Sequence, residues 1–201
     1  MSIAEEVSPE TLAQQAQHES GHAAASWAQG ISFKRMLLSG PRGMPCVEPV
    51  PGNRVMVGQN WLIQCCGGIA DQQRRGLRMR GSQIVKLILG GGDDEFVEVD
   101  DAETGEVVLR RLSRVPPVVN PEGDLHHLAT ILPRSFPDPA RECIRIWRDS
   151  ERFAEELRPA IDALAAALLA RTELSYDEAA KIAATAMVGK PSPAVPEWAR
   201  R

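Results

Sequence analysis

Apolar residues in this chain fall into blocks separated by proline and glycine, and the block edges carry helix and turn signals. Ser8-Pro9-Glu10 opens the first block. Serine can accept from the first free N–H groups, proline suits the first helical position, and glutamate favours the positive end of the helix dipole. This pattern predicts a helix running to about Gln29 and stopping at Gly30. Residues 33–38 read as a short strand, and the Pro/Gly-rich stretch 40–53 as loop. A second helix is expected over residues 55–75, interrupted or tightly packed at Gly67-Gly68. Residues 77–89 are ambiguous, with helix as one reading, and Gly90-Gly91-Gly92 ends whatever precedes it. Residues 96–99 and 106–112 flank an Asp-Ala-Glu-Thr-Gly turn and read as a β-hairpin, closed by Pro116-Pro117. A third helix is expected over 123–132. A long one starts at Pro139, is kinked or broken at Pro159, and continues to Arg171. Ser175-Tyr176-Asp177-Glu178 is a capping box opening a last helix. The tail from about residue 190, with Pro191, Pro193 and Pro196, is expected to be flexible.

Composition narrows this picture. With 201 residues, 43% hydrophobic and 25% charged, the chain is expected to fold as a globular domain. Aromatics make up only 4%, so the core must be built from aliphatic side chains. A net charge of −4 argues against nucleic acid as a partner. The local basic run Arg74, Arg75, Arg78, Arg80 and Lys86 reads as a solvated face or as a dock for an acidic partner. The first ten residues lack a basic stretch followed by an apolar one, so no signal peptide is expected. The apolar stretch 163–170 is far short of the ~20 residues a membrane span needs. A soluble, cytoplasmic protein with no membrane span follows as the expectation. Four cysteines, Cys46, Cys65, Cys66 and Cys143, form no C-x-x-C pair and read as buried reduced thiols.

The chemistry concentrates in His18-Glu19-Ser20-Gly21-His22. Residues four apart on a helix share a face, so the two imidazoles can ligate one zinc ion. Glu19 is turned about 100° from His18 and can reach a water on the open side of such an ion, which suits a general base. The adjacent Ala23, Ala24 and Ala25 mark this face as buried, where imidazoles and a carboxylate are costly without a metal. A catalytic zinc takes three protein ligands and keeps one position for water. Candidates for the third ligand lie in the second polar cluster, as Glu122, Asp124 or His127, and spacing alone does not choose among them.

The segment Gln17-His18-Glu19-Ser20-Gly21-His22-Ala23 resembles the zinc motif of the FtsH-type ATP-dependent zinc metalloproteases, usually H-E-A-G-H-A. Gly67-Gly68-Ile69-Ala70-Asp71-Gln72 is similar to that family's G-G-R-A-A-E segment. Gly123-Asp124-Leu125 with Ala129-Thr130 is similar to its N-D-L-x-x-A-T helix start. Residues 164–182 also resemble the family's end. The resemblance implies a mainly α (α+β) fold: a single helical zinc-peptidase domain over 1–201, with a short strand near the active-site helix. An inserted β-hairpin would lie within an expansion at about 77–119. It also implies Zn2+ held by His18, His22 and Asp124, with Glu19 as the catalytic base. Asp93 and Asp94 are rivals for the third position, because they fall in the expanded segment.

The chain departs from that family in showing no G-x-x-x-x-G-K-[ST] motif, in its expected lack of a membrane anchor, and in carrying Gly123 where the family has asparagine. The expected activity is therefore that of a stand-alone zinc metalloendopeptidase. It would cut unfolded or flexible protein, or receive substrate from a separate unfoldase, with a homo-oligomer as an open expectation. The alternative is a non-catalytic binding or regulatory module on a peptidase-like fold. A zinc deaminase is disfavoured because no P-C-x-x-C partner motif is present.

Overall fold

A computed structural model describes residues 8–39, 45–89, 96–100, 107–111 and 125–200. Within them the protein is mainly helical, with a small antiparallel sheet. The helices are α1 (Pro9–Ala28), α2 (Val57–Arg74), α3 (Gly81–Leu89), α4 (His126–Ser135), α5 (Pro139–Glu156), α6 (Arg158–Arg171) and α7 (Tyr176–Ala186). The strands are β1 (Phe33–Leu37), β2 (Cys46–Pro49), β3 (Phe96–Asp100), β4 (Val107–Arg111) and β5 (Glu173–Ser175). The chain divides into two compact units, Met1–Gly76 with Glu151–Arg201, and Leu77–Ser150. No helix among the described residues is long and apolar enough to cross a membrane.

The first unit is organised around α1. Ser8 caps it, accepting from the Thr11 N–H at 3.2 Å. Beyond its second turn α1 becomes a run of small buried residues, Ala16, Ser20, Gly21, Ala23, Ala24, Ala25 and Ser26. Small side chains let neighbouring backbones come close, and α1 packs chiefly on α2 and α6. The closest approach is at Gly21. A Cβ there would overlap the Cys66 carbonyl oxygen and lie 2.8 Å from its carbon and 2.9 Å from Ala70 Cβ. Polar ties flank this contact. Gln17 Nε2 donates to Asp162 Oδ1 on α6 at 2.9 Å, and Arg74 of α2 pairs with Glu10 of α1 at 2.6 Å. Leu62, Ile69, Leu157, Ile161, Leu164 and Leu168 fill the aliphatic core that the low aromatic content requires.

The three-stranded sheet has the order β2-β1-β5 and is antiparallel throughout. Arg35 on the central strand bridges both neighbours, donating to Glu48 of β2 at 2.9 Å and to Glu173 of β5 at 3.0 Å. Part of the stretch expected as loop is thus a strand. Cys46–Pro49 follows Pro45, itself ends on a proline and is too short to show alternation, so it carries no local strand signal. β5 is shorter still and forms because α6 ends in a left-handed cap at Thr172, φ 61°. The Thr172 N–H donates to Leu168 O at 2.7 Å, and its carbonyl accepts from Leu38 N at 2.8 Å, aligning the next residues with β1. Ser175 and Glu178 then form the expected capping box of α7. After α7 the chain runs to a 3-10 turn at Glu197–Arg200, where Ala199 is fully buried with its Cα against Gly58 of α2. On the way, Ala194 N–H donates to Glu156 at 2.8 Å.

In the second unit, α3 packs on β4 and α4. Ile84, Val85, Ile88, Leu128, Leu132, Ile146 and Trp147 are buried there. The ambiguous stretch 77–89 is helical from Gly81, with Ile84, Val85 and Ile88 at the spacing of one helix face. β3 and β4 pair antiparallel from Phe96↔Arg111 to Asp100↔Val107, the hairpin that the turn sequence predicts. Pro159 does not kink a continuous helix. The chain ends α5 at Glu156 and restarts α6 at Arg158, with Pro159 in the first turn, where its missing N–H breaks no helical bond.

Candidate metal centre

The expectation that His18 and His22 share a face holds on α1, and their side chains converge. Nε2 of one lies 3.0 Å from Nε2 of the other, with the rings edge to face at a centroid distance of 4.7 Å. Tetrahedral ligands about 2.0–2.1 Å from a zinc ion stand about 3.3 Å apart, so this pair fits one ion after a small ring movement. His22 is 8% exposed, placing the pair at the edge of the packed interior.

The environment also settles which nitrogen of His22 faces its partner. Nδ1 lies 2.8 Å from the carbonyl oxygen of Ile63 on α2. A carbonyl only accepts, so Nδ1 carries a proton and Nε2 is the nitrogen turned toward His18. Metal-binding histidines are oriented by this kind of outer hydrogen bond. The ring rests on α2 at Gly67, where a Cβ would overlap Cε1 and Nε2 and lie 3.0 Å from Cδ2. Neither Ile63 nor Gly67 could be placed against His22 from the sequence. Only the Gly67-Gly68 pair hinted at close packing.

Glu19 is 5% exposed. Burial, with the carboxylates of Glu19 and Glu48 adding to it, pushes the Cys46 thiol above its ordinary range. Glu19 therefore sits within electrostatic reach of β2, which sequence reasoning assigned to loop. Among the described residues β2 is an edge strand of its sheet. No disulfide joins Cys46, Cys65, Cys66 or Cys143. Cys65, Cys66 and Cys143 are fully buried, as expected for thiols that pack as small hydrophobes, whereas Cys46 on β2 is only partly buried, contrary to that expectation.

Among the described residues no third histidine, cysteine or carboxylate joins the His18–His22 pair in a metal-holding group. Asp124, Glu122, Asp93 and Asp94 lie outside the described residues, as does the side chain of His127. Within the basic run, Arg74 and Arg75 are engaged by acids of their own unit. Arg74 reaches Glu10 and Arg75 reaches Asp71, each at 2.6 Å.

Ser20, inside the motif, behaves differently from the other serines of buried helices. Ser26 and Ser150 donate to the carbonyl four residues back, at 2.9 and 2.8 Å. The Ser20 hydroxyl is fully buried and finds no hydrogen-bond partner among the described residues. It stands three residues from Gln17, on the side of α1 that meets α6. A buried hydroxyl without a partner costs about 1–3 kcal/mol in desolvation. Ser20→Ala is therefore expected to raise stability by roughly 1 kcal/mol in urea denaturation and to leave metal binding unchanged. A loss of stability would show that the hydroxyl is bonded.

Compared with known proteins, the chain matches no family model and no curated protein.

Proposed function

We propose that the protein is a zinc-dependent metallopeptidase, with His18 and His22 as ligands, Asp124 as the third and Glu19 as the base. One observation carries this reading: two imidazole Nε2 atoms converge to 3.0 Å while the far nitrogen of His22 is committed to a backbone carbonyl. Both rings thus turn the same nitrogen to one point, the arrangement that two ligands of a single ion need. A zinc ion supplies Lewis-acid polarisation of the scissile carbonyl and of the attacking water. Glu19, one position along α1, takes the proton of that water and delivers it to the leaving amine.

The outer edge of β2 supports a peptide as the substrate. An extended chain can add to a sheet edge through main-chain hydrogen bonds, and β2, an edge strand among the described residues, packs against α1, the helix that carries Glu19. A segment that pairs this way must be unfolded or flexible, so stable proteins would require a separate unfoldase. An assembly of several copies is compatible with the same chemistry.

The test is zinc content together with cleavage of a loosely folded protein such as casein. One zinc per chain is expected, with cleavage lost on chelation and restored by added zinc. A chain that takes up no zinc, or cleavage that survives metal removal, overturns the reading.

A further inference from the structure

We infer that Gly67 is a positioning residue for His22: the absence of a side chain there, beside the Ile63 carbonyl, fixes the direction in which the metal-facing nitrogen points. Ile63 and Gly67 lie four residues apart on α2 and so share one face of that helix. The His22 ring lies across that face. Its Nδ1 end is anchored 2.8 Å from Ile63 O, and its Cε1–Nε2 edge occupies the space a Cβ of Gly67 would fill. Gly67 therefore meets the ligating edge of the ring, whereas Gly21 meets the backbone at Cys66. The two glycines do different work: Gly21 allows the helices to approach, and Gly67 makes room for one imidazole.

The ring is the far end of a side chain, so a methyl at Gly67 need not unfold the protein. The ring can swing aside, but only by leaving Ile63 O and carrying Nε2 away from His18. Alanine is otherwise the better helix former at an interior helical position. A merely structural glycine and a positioning glycine therefore predict opposite results once His22 is removed.

Three readouts on the full chain test this. In Gly67→Ala, zinc affinity measured against a chromophoric chelator should fall at least 10-fold. The imidazole nitrogen NMR signals of His22 without metal should lose the pattern of a ring hydrogen-bonded through a protonated Nδ1. In urea denaturation, Gly67→Ala should lower the midpoint of the wild-type chain but raise that of a His22→Ala chain, where the obstructing ring is gone. Unchanged His22 signals, or a midpoint lowered equally in both backgrounds, would overturn the inference. The zinc consequence rests on the metallopeptidase reading, whereas the NMR and denaturation readouts do not. A wild-type chain that binds no zinc would defeat that reading, and these two readouts would still decide the role of Gly67.

Discussion

Glu19→Gln is expected to lower peptide cleavage by about 10²–10⁴-fold, the usual contribution of a positioned general base, while zinc content stays at the wild-type level. Glutamine keeps the size and most of the hydrogen-bonding capacity of glutamate but cannot take a proton from water. Glu19 is 5% exposed on a helix whose neighbouring faces are packed, so a substitution of equal volume should leave α1 in place. The variant thus separates the proposed base from the proposed ligands: His18→Ala or His22→Ala should lose both metal and cleavage, and Glu19→Gln only cleavage. Casein hydrolysis at matched zinc occupancy measures the difference. A glutamine variant as active as the wild type would remove Glu19 from the mechanism, leaving the metal pair to be explained as a binding module.

Gly21→Ala is expected to destabilise the protein by roughly 2 kcal/mol. Overpacking a close contact typically costs 1–3 kcal/mol, or more where the neighbour cannot yield, and alanine recovers about 1 kcal/mol through helix propensity. Here the neighbour is backbone. The added methyl would meet the Cys66 carbonyl, with its carbon at 2.8 Å, and α2 would have to move away from α1. Such a shift also disturbs the His22–Ile63 hydrogen bond, which joins the same two helices. Zinc affinity should therefore fall together with the urea midpoint. Gly21→Val, with its branched side chain in the same space, should leave little folded protein. An alanine variant as stable as the wild type would mean that the two helices are not held this tightly.

The two glycines show how far the sequence could be read. The Gly67-Gly68 pair marked a point of interruption or tight packing in the second helix, by the rule that glycine in a helix is costly and needs a reason. What Gly67 accommodates could not be read, because the rule says nothing of the partner. β2 was missed for a related reason. Four residues that follow one proline and end on another show no alternation, and their strand conformation comes from pairing with β1 rather than from their own preference. The helix after Leu77 was ambiguous in sequence because it lies between glycine-rich segments. Its apolar spacing becomes decisive only when Ile84, Val85 and Ile88 are seen buried together.

By itself the sequence determined what is local. The cap at Ser8, the capping box at Ser175, and the placement of His18 and His22 on one face with Glu19 turned away all follow from backbone geometry within one or two helical turns. Tertiary structure decided everything that depends on a partner distant in the chain. The acceptor for His22 lies 41 residues away, and the strand beside Glu19 is held in place by the sheet. Helical periodicity fixes where a side chain leaves the backbone, but a second helix must arrive before it is settled which imidazole nitrogen donates to a carbonyl and which one turns toward the other ring.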